Sequence, residues 1–187
     1  MTPTEVRTRY GWPLIGIHWL TFLLIVVVYA TAELSDAFPK GSAGRAILRA
    51  GHEMFGLLVF GLVWLRLAVR AFTIAPAIEP APPHWQALLA KAAHIALYGL
   101  MIVLPLSGWL MLSAAGKPIP FFAWELPPLV APSKSIAKAI AEVHEAIASV
   151  GYALIGLHAA AALFHHYLLR DNTLKLMLPG TRAARPW

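Results

Sequence analysis

The 187-residue chain contains no cysteine. Disulfides, iron–sulfur clusters, thiolate metal sites and C-x-x-C-H attachment of a c-type haem are thereby excluded. Charge is scarce as well: Asp, Glu, Lys and Arg make up 13% of the residues, against roughly 25% in soluble domains. With 59% hydrophobic residues and a mean hydropathy of +0.66, an ordinary water-soluble globule is excluded too. Acidic and basic side chains are missing altogether from Tyr10 to Ala32, Ala92 to Gly116 and Ala146 to Leu169. These runs of 23, 25 and 24 residues each exceed the ~20 that a helix needs to cross the hydrocarbon layer. The chain is therefore expected to be all-α and integral to a membrane.

Four spans are expected, at roughly 12–32, 51–72, 92–114 and 133–169, forming a single membrane domain over residues 1–187. Ala30-Thr31-Ala32 resembles a signal-peptide cleavage site, but the preceding apolar run is longer than a typical h-region, so the first span is read as retained. A polar segment from Glu33 to Arg49 turns the chain back. The second span contains Arg66 and Arg70, which lie near its end and can snorkel to the interface or meet an anionic group. Prolines 76, 80, 82 and 83 mark a stiff connector. Pro105 in the third span predicts a kink, and residues 116–132 read as a proline- and aromatic-rich interfacial loop.

The formal charge of +6 is spread over loops and tails, not gathered in a stripe. It fits membrane topology and gives no reason to expect nucleic acid as a partner. With four spans, Arg7, Arg9, Arg66, Arg70, Lys91, Arg170, Lys175, Arg182 and Arg185 share one side. Lys40, Arg45, Arg49, Lys117, Lys134 and Lys138 share the other. Nine against six puts both termini in the cytoplasm of a multi-pass inner-membrane protein.

With cysteine absent, the eight histidines become the candidate ligands. His144 and His158 lie 14 residues apart on the fourth span, which is ~21 Å along a helix with only about 40° between their directions. One face of that helix thus offers an imidazole towards each side of the membrane. His18 lies near the cytoplasmic end of the first span and His52 near the external end of the second, so depth pairs His18 with His158 and His52 with His144. Two such pairs in a four-helix bundle suit two b-type haems, each iron held axially from both faces. Gly151, seven residues from both His144 and His158, leaves room between them.

A lone histidine in an apolar helix is more often a packing residue than a ligand; two depth matches on one stripe favour ligation. Zinc is a weaker reading, because His52-Glu53 and His144-Glu145 lack the second histidine of H-E-x-x-H. A proton relay lacks any deep carboxylate to continue it.

The stretches Ile17-His18-Trp19-Leu20, Gly51-His52-Glu53, His94 through Tyr98 to Pro105, and Val143-His144-Glu145 resemble the bacterial cytochrome b561 family. So does Gly156 through Tyr167, with Asp171-Asn172-Thr173-Leu174. These are four-helix dihaem proteins related to the cytochrome b subunits of nickel–iron hydrogenases. The final stretch is most similar to the superoxide-oxidase type, which transfers electrons from superoxide to ubiquinone. The resemblance implies haem b, axial ligation by His18, His52, His144 and His158, and electron transfer as the function.

On this reading the chain is an oxidoreductase with superoxide and ubiquinone as substrates and the lipid bilayer as its setting. Arg66, Arg70, His94, His165 and His166 are candidates for haem propionates or a quinone site, with snorkelling or packing as the alternative for each. His84 receives no role. A second reading is a cytochrome b relay between a periplasmic redox partner and quinone; a third is a haem-free scaffold or transporter.

Overall fold

The computed structural model describes residues 9–180, so Arg7, Arg182 and Arg185 of the orientation count lie outside the described residues. Four long helices carry the architecture: α1 (Trp12–Asp36), α2 (Ala43–Ala71), α3 (His84–Ala114) and α4 (Lys134–Phe164). Each is long and apolar enough to cross a membrane. The expected all-α membrane bundle is what the chain forms.

The helix starts differ from the hydropathy reading. α2 begins at Ala43, not near residue 51, because Ser42 caps it by accepting a hydrogen bond from the Arg45 backbone amide at 3.3 Å. α1 runs on to Asp36, so the turn contracts to a few residues around Pro39 and Gly41. Gly41 adopts φ +85°, a conformation that glycine reaches without a Cβ penalty. α3 starts at His84, directly after Pro83, not near residue 92. In each case the added turns carry polar or charged residues that leave the apolar layer, where solvation tolerates them. Pro105 lies inside α3 without ending it.

α1 packs on α2, α3 packs on α4, and the two hairpins meet along α2 and α3. The packed interior lies among α1, α2 and α3: Val59, Val63 and Met101 are buried against Leu24, Ile25, Val28, Tyr98 and Ile102. Nearer the α1–α2 turn, Leu57, Leu112 and Ile119 form a second cluster beneath a two-stranded hairpin, β1 (Pro120–Phe121) and β2 (Trp124–Glu125).

α4 stands off from α1 and α2. Gly151 is its one buried residue. There Tyr29 crosses from α1, and its hydroxyl donates to the Ala148 carbonyl at 3.0 Å. A Cβ at position 151 would run into that hydroxyl and lie 3.3 Å from Leu100. Tyr29 and Gly151 therefore make a waist, with open cleft on either side.

After Phe164 the chain does not simply continue as an α-helix to Leu169. Residues His165–Leu169 form a π-turn, Arg170 takes a left-handed conformation at φ 56°, and a short helix α5 (Thr173–Met177) folds back under the bundle. Trp19 Nε1 holds α5 by donating to the Met177 carbonyl at 2.7 Å. Arg9 donates to the Gly180 carbonyl, also at 2.7 Å. These two bonds tie α5 and the residues after it to α1 and the residues before it.

Candidate functional site

The cleft between α4 and the α1–α2 hairpin holds two imidazole pairs, one on each side of the waist. His52 and His144 face each other with ring centroids 6.2 Å apart, and His18 and His158 with centroids 6.4 Å apart. One metal ion bound through a nitrogen of each ring, at about 2 Å per bond, would hold the centroids about 6.3 Å apart. The separations in both pairs match that value.

The outer pair, at the α1–α2 turn end, has its rings fixed from behind. His52 Nδ1 lies 2.9 Å from the Val28 carbonyl, which can only accept, so that nitrogen carries the proton. His144 Nδ1 lies 2.8 Å from Ser107 Oγ. The single Ser107 proton is donated to the Leu104 carbonyl at 2.8 Å, so the serine oxygen accepts from His144. Both rings thus keep Nε2 unprotonated as a lone-pair donor, and the bonds at Nδ1 set the orientation of each ring, as they do in metal-binding histidines. Neither Ser107 nor the Val28 carbonyl stands out in the sequence. A level count would find the first, since Gly108 touches His144 where α3 and α4 run antiparallel.

The inner pair is organised differently. His18 Nδ1 is buried without a hydrogen-bond partner. His94 packs edge-on against His158 with centroids 5.5 Å apart. It lies almost three turns into α3, not at the start of the helix. Arg66 donates to the Tyr98 hydroxyl at 3.1 Å, with its guanidinium over the Tyr98 ring. Arg70 is turned to the connector, donating to the Thr73 carbonyl at 2.9 Å and lying over the Tyr10 ring.

His165 and His166 sit at the π-turn. His165 Nδ1 is hydrogen-bonded to Asp171, while His166 Nδ1 is buried without a partner. His84 is exposed at the first turn of α3.

The family model for prokaryotic cytochrome b561 matches residues 9–180. The chain belongs to the prokaryotic cytochrome b561 family. Cytochrome b561 homolog 1 of Escherichia coli is 40% identical over 91% of this chain and 97% of its own. A protein named probable superoxide oxidase CybB, from Yersinia pestis, is 32% identical over 95% of this chain and 99% of its own. Cytochrome b561 homolog 2 of Escherichia coli is 31% identical over 95% of each chain. Membership of the cytochrome b561 family makes this a bacterial membrane electron-transfer protein and implies b-type haem as its cofactor. The residues present fit such a group: two facing imidazole pairs and a buried His18 Nδ1 without a hydrogen-bond partner.

Proposed function

We propose that the chain carries electrons from superoxide to ubiquinone across one bundle, as a superoxide:quinone oxidoreductase. His52 and His144 would hold one haem b and His18 and His158 a second. The observation that carries this reading is the pair of imidazole separations, 6.2 and 6.4 Å, at two depths of the same cleft. The likeness to the Yersinia pestis protein named for superoxide oxidation supports the choice of donor.

A bound haem b supplies a one-electron carrier. The protein's own residues do the rest. Val28 and Ser107 keep the His52 and His144 rings in one tautomer, so no ring need turn or exchange a proton as an electron passes. Tyr29 meets α4 at Gly151 and keeps the two compartments separate yet adjacent. Two superoxide ions give two electrons, which with two protons convert one ubiquinone to ubiquinol.

Superoxide is an anion, and the end beyond the outer pair offers basic groups to attract it. Lys40, Gly41, Ser42, Arg45, Ala46 and Arg49 line a shallow cavity of about 370 Å³ there. Asp36 offsets part of that charge, pairing with Arg45 at 2.6 Å and lying 3.7 Å from Arg49. The excess of Lys and Arg at the opposite end supports an orientation with both termini in the cytoplasm, so that superoxide is met on the periplasmic side.

Stopped-flow mixing of the purified, haem-loaded protein with superoxide, with and without ubiquinone, tests the reading. Rapid haem reduction followed by ubiquinol formation is expected. Haem that stays oxidised under superoxide, yet is reduced by a chemical donor, would make the chain a relay for another redox partner.

A further inference from the structure

Among the described residues no extended interface joins α1 to α4: α1 packs on α2, and α4 packs on α3. The helices form a ring with one weakly joined seam. α3 backs the cleft on the opposite side, where Ser107 bonds His144, Leu100 lies beside Gly151 and His94 packs on His158. At mid-depth the contact of Tyr29 with Gly151 divides the cleft. With no cysteine to tie it to the chain, a haem must be held by its ligands and by the helices around it. The seam is the side on which those helices hold each other least.

Two hydrogen bonds cross the seam among the described residues, both from tyrosine hydroxyls. Tyr29 donates to the Ala148 carbonyl at 3.0 Å, and Tyr152 donates to Glu33 Oε1 at 2.6 Å. The two rings lie together with centroids 4.3 Å apart. Helical side chains lean towards the N-terminus of their helix, which for α4 is the outer end. Tyr152 thus reaches outwards along the seam to Glu33, one turn or ~6 Å beyond Tyr29. Glu33 is the first charged residue after the uncharged run from Tyr10 to Ala32, so its carboxylate marks the edge of the apolar layer. A hydrogen bond to a charged acceptor is stronger there than in water.

We propose that the α1–α4 seam is the way by which haem enters and leaves the bundle, and that Tyr152 and Glu33 form a latch that retains the haem of the outer pair. This rests on each imidazole pair holding one haem. The inner ligands, His18 and His158, come from the two helices that flank the seam and join them once haem is bound. The outer ligands, His52 and His144, come from α2 and α4. Ligation there leaves α1 free to part from α4, and the Tyr152–Glu33 bond opposes that movement. Tyr29 steadies the latch by packing on the Tyr152 ring.

The test reads haem loss, not turnover. The haem-loaded full chain in nanodiscs is mixed with an excess of haem-free myoglobin as acceptor, and the transfer is followed by absorbance. Tyr152→Phe and Glu33→Ala are each expected to speed the loss of one haem at least about tenfold and to leave the other unchanged. Tyr152 is 48% exposed, so removing its hydroxyl takes away the bond and no buried packing. The double variant should be no faster than either single one, because both remove the same bond. In a His18→Ala background, which keeps the outer haem, the acceleration should persist; in a His144→Ala background it should vanish.

The cysteine-free chain also allows the seam to be locked. Glu33→Cys combined with Tyr152→Cys, joined by a short bis-maleimide after haem loading, should lose the outer haem more slowly than wild type. Loss at the wild-type rate in both single variants, or equal acceleration of both haems, would overturn the latch. A linked protein that loses the outer haem as fast as its unlinked form would overturn the seam as the route. Wild type carrying fewer than two haems before mixing would instead overturn the pairing on which the latch depends.

Discussion

The two imidazole pairs have nearly the same spacing but different surroundings. At the outer pair each ring is fastened from behind, His52 to a carbonyl of α1 and His144 to a hydroxyl of α3. At the inner pair His18 Nδ1 has no partner, a third imidazole packs on His158, and Arg66 stands close by. The outer surroundings fix geometry and tautomer. Those of the inner pair bring charge and exchangeable protons near the cleft. On the proposed function, an electron that enters at one end and leaves with protons at the other needs this asymmetry, because superoxide would give up only an electron whereas quinone would take up both.

The largest expected effect comes from removing a ring. His52→Ala or His144→Ala should leave the inner haem, and His18→Ala or His158→Ala the outer one. Haem per polypeptide would fall from two to one in each, read by pyridine haemochrome assay. The two classes should also differ in function: loss of the outer haem should abolish reduction by superoxide, and loss of the inner should abolish ubiquinol formation. Two haems retained in all four variants would dissolve the pairing and the comparison with it.

A smaller effect sharpens the comparison by weakening one ring's support. Ser107→Ala removes the oxygen that accepts from His144 Nδ1, leaving the metal-facing nitrogen less basic and the ring free to turn. Loss of the group that bonds a ligating histidine from behind typically costs about ten- to a hundredfold in affinity. Titration of the apo-protein with haem should show the outer site weakened by about that factor and the inner site unchanged. The inner pair has no equivalent single change at His18, because nothing is bonded to its Nδ1.

How much of this the sequence discloses depends on the kind of signal. Three of the four helices, the face shared by His144 and His158, and the approach of His18 to His158 and of His52 to His144 follow from charge-free runs, helical periodicity and depth; the second helix follows only if Arg66 and Arg70 lie near its end. A membrane restricts depth so strongly that position along a span nearly decides which residues can meet. The true starts of α2 and α3 do not follow, because Ala43–Ala50 and His84–Lys91 are helical turns carrying charge outside the apolar layer. Composition marks where the bilayer ends, not where hydrogen bonding ends. The Val28 carbonyl does not follow for another reason: it acts through one contact, set by how neighbouring helices lean, whereas Ser107 needs a count of levels on α3 and α4. Asp171 stood within a recognised stretch, yet its bond to His165 depends on a π-turn and a left-handed Arg170 that no periodicity announces.

The smallest expected effect concerns the termini end, where Asp171 is the group whose charge the fold manages. Burial alone would raise its pKa, but the bonds from His165 and Thr173 outweigh that and hold its carboxyl below the usual carboxylate range. A carboxyl that is more acidic folded than unfolded adds stability where it is ionised in both states. That contribution is full above the unfolded value of about 3.9 and is lost as pH falls through the lower folded value. Wild-type protein should therefore exceed Asp171→Asn in thermal stability by about 1 kcal/mol at pH 7. The gap should begin to close only below about pH 4. Ser107→Ala, by contrast, leaves that carboxyl untouched, so the stability difference between it and wild type should not show this acid-limb change. Thermal scans of both variants between pH 3 and 8 check the contrast. If the Asp171→Asn difference were independent of pH across that window, the carboxylate would be acting through shape and not charge.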